Sequence, residues 1–172
     1  MLARSDVWPY RARATRQTPP PYRGYGLAKG RVLLAHGNLD CLKIYGSVLA
    51  FDGYSVEIAS NGDTAIGLLA AGHFDAVVTD FYVQSDMEEC LVRQIRARDF
   101  SAHLPVVVIT AWTTDQHRRI AMNEGADAFL PLPLRPRELL AVIDQVLDAA
   151  HAPVSMHRSS SEPRQPTISN GL

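Results

Sequence analysis

The chain has 172 residues, 47% hydrophobic and 20% charged, the composition of a globular domain with a core rather than of a disordered or fibrous chain. It contains no apolar run of about 18 residues and opens on no apolar stretch, so neither a membrane span nor a secretory leader is expected, and the expected location is the cytoplasm. The net charge of −1 conceals an uneven spread: residues 1–30 carry +5, residues 31–150 carry −7 and residues 151–172 carry +1, and an acidic centre without a basic stripe argues against nucleic-acid binding by the folded part.

Residues 1–30 include Pro19-Pro20-Pro21-Tyr22-Arg23-Gly24 and show neither a helical nor an alternating period, which predicts a disordered basic tail. An arginine-rich leader without acids also suits a mitochondrial transit peptide, but the prolines and the missing amphipathic face oppose it. Arg31–Ala35 is a short apolar run, the pattern of a buried strand. His36-Gly37-Asn38 follows as a turn, with Asn38 a candidate helix cap. Leu42, Ile44, Tyr45, Val48 and Leu49 recur at helical spacing up to Phe51, and Asp52-Gly53 stops the helix. Tyr54–Ala59 alternates, as expected of a strand at a sheet edge. Asn61-Gly62-Asp63 is cap chemistry for a helix running to Gly72.

Phe74–Asp80 reads as the central strand. Ala76, Val77, Val78 and Thr79 are small or β-branched on both faces, and the run ends on a carboxylate. After a loop at 81–86, Met87–Arg98 alternates acids and bases around Leu91, Val92 and Ile95, which predicts an exposed amphipathic helix. Pro105–Thr110 is the most apolar strand. Thr113-Thr114-Asp115 caps a helix through Met122 that ends near Gly125. Ala128–Leu130 is a short last strand, and Pro136 opens a helix whose inner side carries Leu139, Leu140, Val142, Ile143, Val146 and Leu147. From His151 onward the chain is rich in Ser, Pro and Arg, and a disordered tail over 151–172 is expected. Cys41 and Cys90 form no framework or metal motif and are expected to be buried free thiols.

Five strand–helix repeats between residues 31 and 150 predict an α/β fold, a doubly wound parallel sheet with right-handed crossovers and helices on both faces. In such a sheet working residues gather at the carboxyl ends of the strands near the switch point. Those ends carry His36-Gly37, Asp80, Thr110-Ala111 and Leu132-Pro133. A carboxylate facing a hydroxyl across a cleft suits phosphoryl chemistry; a helix-cap or turn aspartate is the plainer reading of Asp80. A flavin-type cofactor site needs a phosphate-cradling loop after the first strand, and Ala35-His36-Gly37-Asn38-Leu39-Asp40 has one glycine and an acid there. No Gly-x-Ser-x-Gly elbow marks a hydrolase, and no enzymatic activity is expected.

Phe74-Asp-Ala-Val-Val-Thr-Asp80, Val106-Val-Val-Ile-Thr110-Ala111 and Gly125-Ala-Asp-Ala-Phe-Leu130, in this order and spacing, resemble the receiver domain (CheY-like) of two-component response regulators over residues 31–150. The resemblance implies a flavodoxin-like sheet of strand order 2-1-3-4-5. It implies that Asp80 occupies the phosphoacceptor position and that Thr110 and Phe129 occupy the switch positions, with Pro133 matching the family's proline. The chain departs from the family where an acidic pair holds Mg²⁺, since His36 and Gly37 stand there, and where a lysine pairs with the phosphoryl group, since Leu132 stands there. Gln84-Ser85-Asp86 replaces the usual Pro-Gly-rich turn. Mg²⁺ usually takes one or two carboxylates besides waters and phosphate oxygens, so no cofactor is expected and Mg²⁺ binding is doubtful, with Asp40 or Asp86 the candidate substitutes. Two readings of His36 stand side by side: it points to solvent or caps the first helix, or it pairs with Asp80, which would raise its pKa. Leu132 is expected to pack over the site.

The expected role is a stand-alone receiver-like phosphorelay protein working through protein–protein contacts, with weak or absent Mg-dependent phosphorylation at Asp80. The alternatives are a conventional phosphorylatable single-domain regulator and a flavodoxin-like cofactor binder. Expected partners are a sensor histidine kinase or another signalling protein, or a second copy, and no membrane. The resemblance places the contact face on Thr113–Met122, Ala128–Leu130 and Arg135–Val146, with Asp115, His117, Arg118, Arg119, Arg135, Arg137 and Glu138 as exposed candidates.

Overall fold

The computed structural model describes residues 28–83, 85 and 90–151. The expected tails at 1–30 and 151–172 fall almost wholly outside them, as do Gln84, Asp86 and Met87–Glu89. Five strands, β1 (Arg31–Ala35), β2 (Ser55–Ala59), β3 (Ala76–Thr79), β4 (Val106–Thr110) and β5 (Ala128–Pro131), alternate with α1 (Leu39–Phe51), α2 (Gly62–Ala71), α3 (Leu91–Arg96), α4 (Asp115–Asn123) and α5 (Pro136–His151). The sheet order is β2-β1-β3-β4-β5 and every pairing is parallel.

The pleat sorts the apolar residues onto two faces. Leu33, Val77, Val106 and Val108 point to a core built with Ala65 and Leu69 of α2, Leu91, Val92 and Ile95 of α3, and Ala121 of α4. Val32, Leu34, Ala76, Val78, Val107 and Ile109 point the other way, against Leu42, Tyr45 and Leu49 of α1 and Leu139, Ile143 and Leu147 of α5. Burial on both faces explains why β1, β3 and β4 read as uninterrupted apolar runs.

The caps follow the sequence. Asn38 Oδ1 accepts from the backbone N–H groups of Asp40 and Cys41, Asn61 Oδ1 accepts from Thr64 N–H, and Thr114 Oγ1 accepts from His117 N–H. Each satisfies donors that the first helical turn leaves without partners. Gly53 and Gly125 end α1 and α4 at φ +99° and +100°, which side-chain-bearing residues rarely adopt.

Two expectations need correction. The described helix after the central strand runs only from Leu91 to Arg96 and is less exposed than expected: Gln94 is buried along with the apolar side of Leu91, Val92 and Ile95, while Arg93 is exposed. It carries no side-chain cap, and its position rests on packing. Arg96 anchors its end: Nε donates to Gly125 O at 2.9 Å, Nη1 to Leu104 O at 2.7 Å and Nη2 to Asp127 Oδ2 at 2.8 Å. The cysteines are free as expected but half-buried rather than buried.

At the amino edge of the sheet two aspartates repeat one device. Asp75 Oδ2 accepts from Arg31 N–H at 2.6 Å and Asp127 Oδ2 accepts from Val106 N–H at 2.7 Å. Each carboxylate precedes one strand and ties the first N–H of the strand beside it.

Candidate functional site

Asp80 lies one residue beyond β3, and its N–H donates to Ala35 O at 3.0 Å, which fixes it beside the end of β1. Its Oδ1 accepts from Phe81 N–H at 2.7 Å, and the side chain is 14% exposed. Oδ2 faces the ring of His36. Thr79, fully buried, spends its hydroxyl on Asp80 O.

His36 is neither solvent-facing nor the cap of α1, which Asn38 supplies. Its ring is buried, and Nδ1 accepts from Asn38 N–H at 3.0 Å. With Nδ1 used as an acceptor, the neutral ring carries its hydrogen on Nε2. That atom stands 3.9 Å from Asp80 Oδ2 and is the one buried side-chain polar atom without a hydrogen-bond partner among the described residues. The contact is too long for a direct hydrogen bond. Burial pushes the imidazole pKa below its ordinary 6.5, and the Asp80 charge opposes that with a weaker pull. His36 thus lies beside Asp80, as the pairing reading has it, but without the upward shift attached to that reading, because loss of hydration outweighs the carboxylate. Burial and the Asp80 charge together raise the Cys41 thiol pKa.

The other strand ends are as follows. Gly37 is exposed, and an added Cβ there would meet nothing within 4 Å. Thr110 is fully buried, and its hydroxyl accepts from Trp112 N–H at 3.2 Å. Phe129 is buried in the core on the α2–α4 side. Leu132 donates its N–H to Thr110 O and packs against the α1–α5 core; the Leu132–Pro133 peptide is cis. Asp40 is exposed on α1, and Asp86 lies outside the described residues. Among the described residues no group of three His, Cys, Asp or Glu side chains is placed to hold a metal. On the anticipated contact face Asp115, Arg118, Arg119, Arg135, Arg137 and Glu138 are exposed, and His117 is half-buried with Nδ1 at 2.7 Å from Thr114 Oγ1.

One group escaped the sequence reading. Tyr82 and Trp112 pack edge to face at 5.5 Å between centroids, with Phe81 and His117 against them. The signal was present: each aromatic stands two residues after a strand-end site residue, in Asp80-Phe81-Tyr82 and Thr110-Ala111-Trp112.

A doubly wound five-stranded sheet with a carboxylate after its middle strand and a hydroxyl at the end of the next defines a receiver-type module. The chain belongs to the response regulator receiver domain family, whose model matches residues 32–144, and so to the proteins of two-component signalling. It is similar to the response regulator MprA of Mycolicibacterium vanbaalenii, 40% identical over 95 residues that cover 54% of this chain and 39% of that protein. The MprA of Mycobacterium leprae is 38% identical over 101 residues, 58% of this chain and 42% of that protein. The chain thus spans about two fifths of the length of these relatives. Among solved structures, a CheY-like receiver domain protein from Methanospirillum hungatei superposes with a TM-score of 0.63 at 24% identity, over 70% of this chain and 94% of that one. The receiver domain of a sensor histidine kinase from Pseudomonas aeruginosa, with magnesium coordinated in its active-site cleft, gives 0.63 at 21%, over 69% and 97%. At these identities the structures speak for the fold.

Proposed function

We propose that this receiver domain signals through protein–protein contacts and that Mg-dependent phosphorylation of Asp80 is weak or absent. The observation that carries the reading is His36, buried at the end of β1 with Nε2 3.9 Å from Asp80 Oδ2. Its ring turns a nitrogen toward that carboxylate from beyond hydrogen-bond reach, where a hard cation needs oxygen ligands. Gly37 adds no ligand, Asp40 is exposed on α1, and Leu132 brings no positive charge. Mg²⁺ therefore fits these residues poorly, and phosphoryl transfer depends on such charge neutralisation. Signalling proteins, a histidine kinase among them, are the expected partners, and the exposed α4–β5–α5 residues Asp115, Arg118, Arg119, Arg135 and Arg137 are the contacts assigned to them.

The test is intact mass after incubation with acetyl phosphate, with and without Mg²⁺. No phosphoryl adduct is expected on the wild type or on Leu132→Lys, whereas His36→Asp, Gly37→Asp and Leu132→Lys combined should acquire one when Mg²⁺ is present. The open space at Gly37 accommodates the new side chain. Ready modification of the wild type would sink the proposal and make the protein a conventional phosphorylatable regulator.

A further inference from the structure

The loops leaving β3 and β4 bring Tyr82 and Trp112 together although both rings stay in contact with water, 56% and 52% exposed. His117, from the first turn of α4, stands 5.4 Å from Trp112 and 6.2 Å from Tyr82, and the buried Phe81 supports Tyr82 and His117 from below at 4.6 and 5.3 Å. Phe81 N–H also holds Asp80 Oδ1, so the backbone that carries the aromatic rim orients the carboxylate. The register sets Thr79 opposite Val108 and leaves Asp80 and the Thr110–Trp112 turn at the same edge of the sheet.

This mouth carries a negative charge without a cation of its own. Among the described residues no Lys or Arg nitrogen lies within 4.0 Å of Asp80; His36 alone does, and burial holds it neutral near pH 7. Both rings keep more than half of their surface exposed, and exposed ring faces attract cations. The carboxylate of Asp80, two residues before Tyr82 and at the same edge of the sheet, adds Coulomb attraction of the same sign. A guanidinium fits this combination better than an ammonium ion, because it stacks flat on a ring while its fork of N–H groups reaches a carboxylate oxygen.

We propose that the mouth formed by Tyr82, Trp112 and Asp80 seats the guanidinium of an arginine on a partner protein, stacked on the aromatic rim and directed at the Asp80 carboxylate. The seat works whether or not Asp80 takes a phosphoryl group, so the mass experiment above and the one below fail separately.

The chain has two tryptophans, Trp8 and Trp112, and their indole N–H signals in the ¹⁵N-labelled full-length protein serve as internal control and reporter. The probe is the blocked tripeptide acetyl-Gly-Arg-Gly-amide, titrated against its lysine and citrulline counterparts. A saturable shift of the Trp112 signal is expected with arginine while Trp8 stays in place. Binding should weaken about ten-fold with citrulline, in Asp80→Asn and in the surface variant Tyr82→Ala, with lysine intermediate. Equal saturation by the citrulline peptide, unaltered affinity in Asp80→Asn and Tyr82→Ala, or a parallel shift of Trp8 would overturn the assignment.

Discussion

His36 stands 3.9 Å from Asp80, and three forces meet on its ring. Burial favours the neutral form, the Asn38 N–H occupies Nδ1, and the Asp80 charge pulls toward protonation with less effect. A proton-NMR titration should place the His36 midpoint below 6.5, and Asp80→Asn should lower it further by removing the opposing pull. A wild-type midpoint above 6.5 would contradict the geometry. The sign for stability follows: below about pH 6.5 the unfolded chain binds the proton first, so His36 costs stability as pH falls until its lower native pKa is passed. A His36→Gln variant lacks that contribution to the acid slope. The residue itself was visible in the sequence as a departure at a strand end, but its direction was not. A turn residue next to a glycine reads as solvated, and only the fold shows that Ala59 O and Asp80 enclose it.

Among the elements, the strands and capped helices were the legible part, because each has a local cause. Val106–Thr110 is apolar on both faces since both are covered, and Asn38, Asn61 and Thr114 precede the helices they cap. Helix α3 was misjudged because its determinants are distant. Gln94 is buried with its amide 3.3 Å from Ser85 Oγ, and Arg96 reaches carbonyls in two separate loops. Arg96→Ala leaves Gly125 O and Leu104 O without this donor and frees Asp127 from its ion pair. The expected loss is about 1–3 kcal/mol, read as a lower urea midpoint with unchanged slope. Arg96→Lys should recover only part, since one ammonium cannot span these acceptors. A midpoint equal to that of the wild type would show that the anchor contributes nothing.

Across the molecule, one sheet separates two cores that share every strand. Val77 and Val78 are adjacent in sequence yet belong to opposite cores, so neither face can loosen without disturbing the strand that serves the other. Unfolding in urea should therefore be a single transition, with Trp112 fluorescence in a Trp8→Phe background and far-ultraviolet circular dichroism giving coincident midpoints. Separate midpoints would mean that the α1–α5 side and the α2–α4 side melt independently. The parallel sheet was legible from the alternation of elements, because parallel strands require covering crossovers, whereas its strand order came only from the resemblance to receiver domains. The aromatic mouth was not, since it depends on two loops meeting and neither loop carries a period.

The paired carboxylates Asp75 and Asp127 separate the anchoring of the sheet from the chemistry at its other edge. They secure the first residues of β1 and β4 at the edge remote from Asp80. A substitution at the exposed Gly37, at the opposite edge, leaves those clasps untouched. The rim that carries Asp80 can thus be altered residue by residue while the opposite rim keeps the strands aligned.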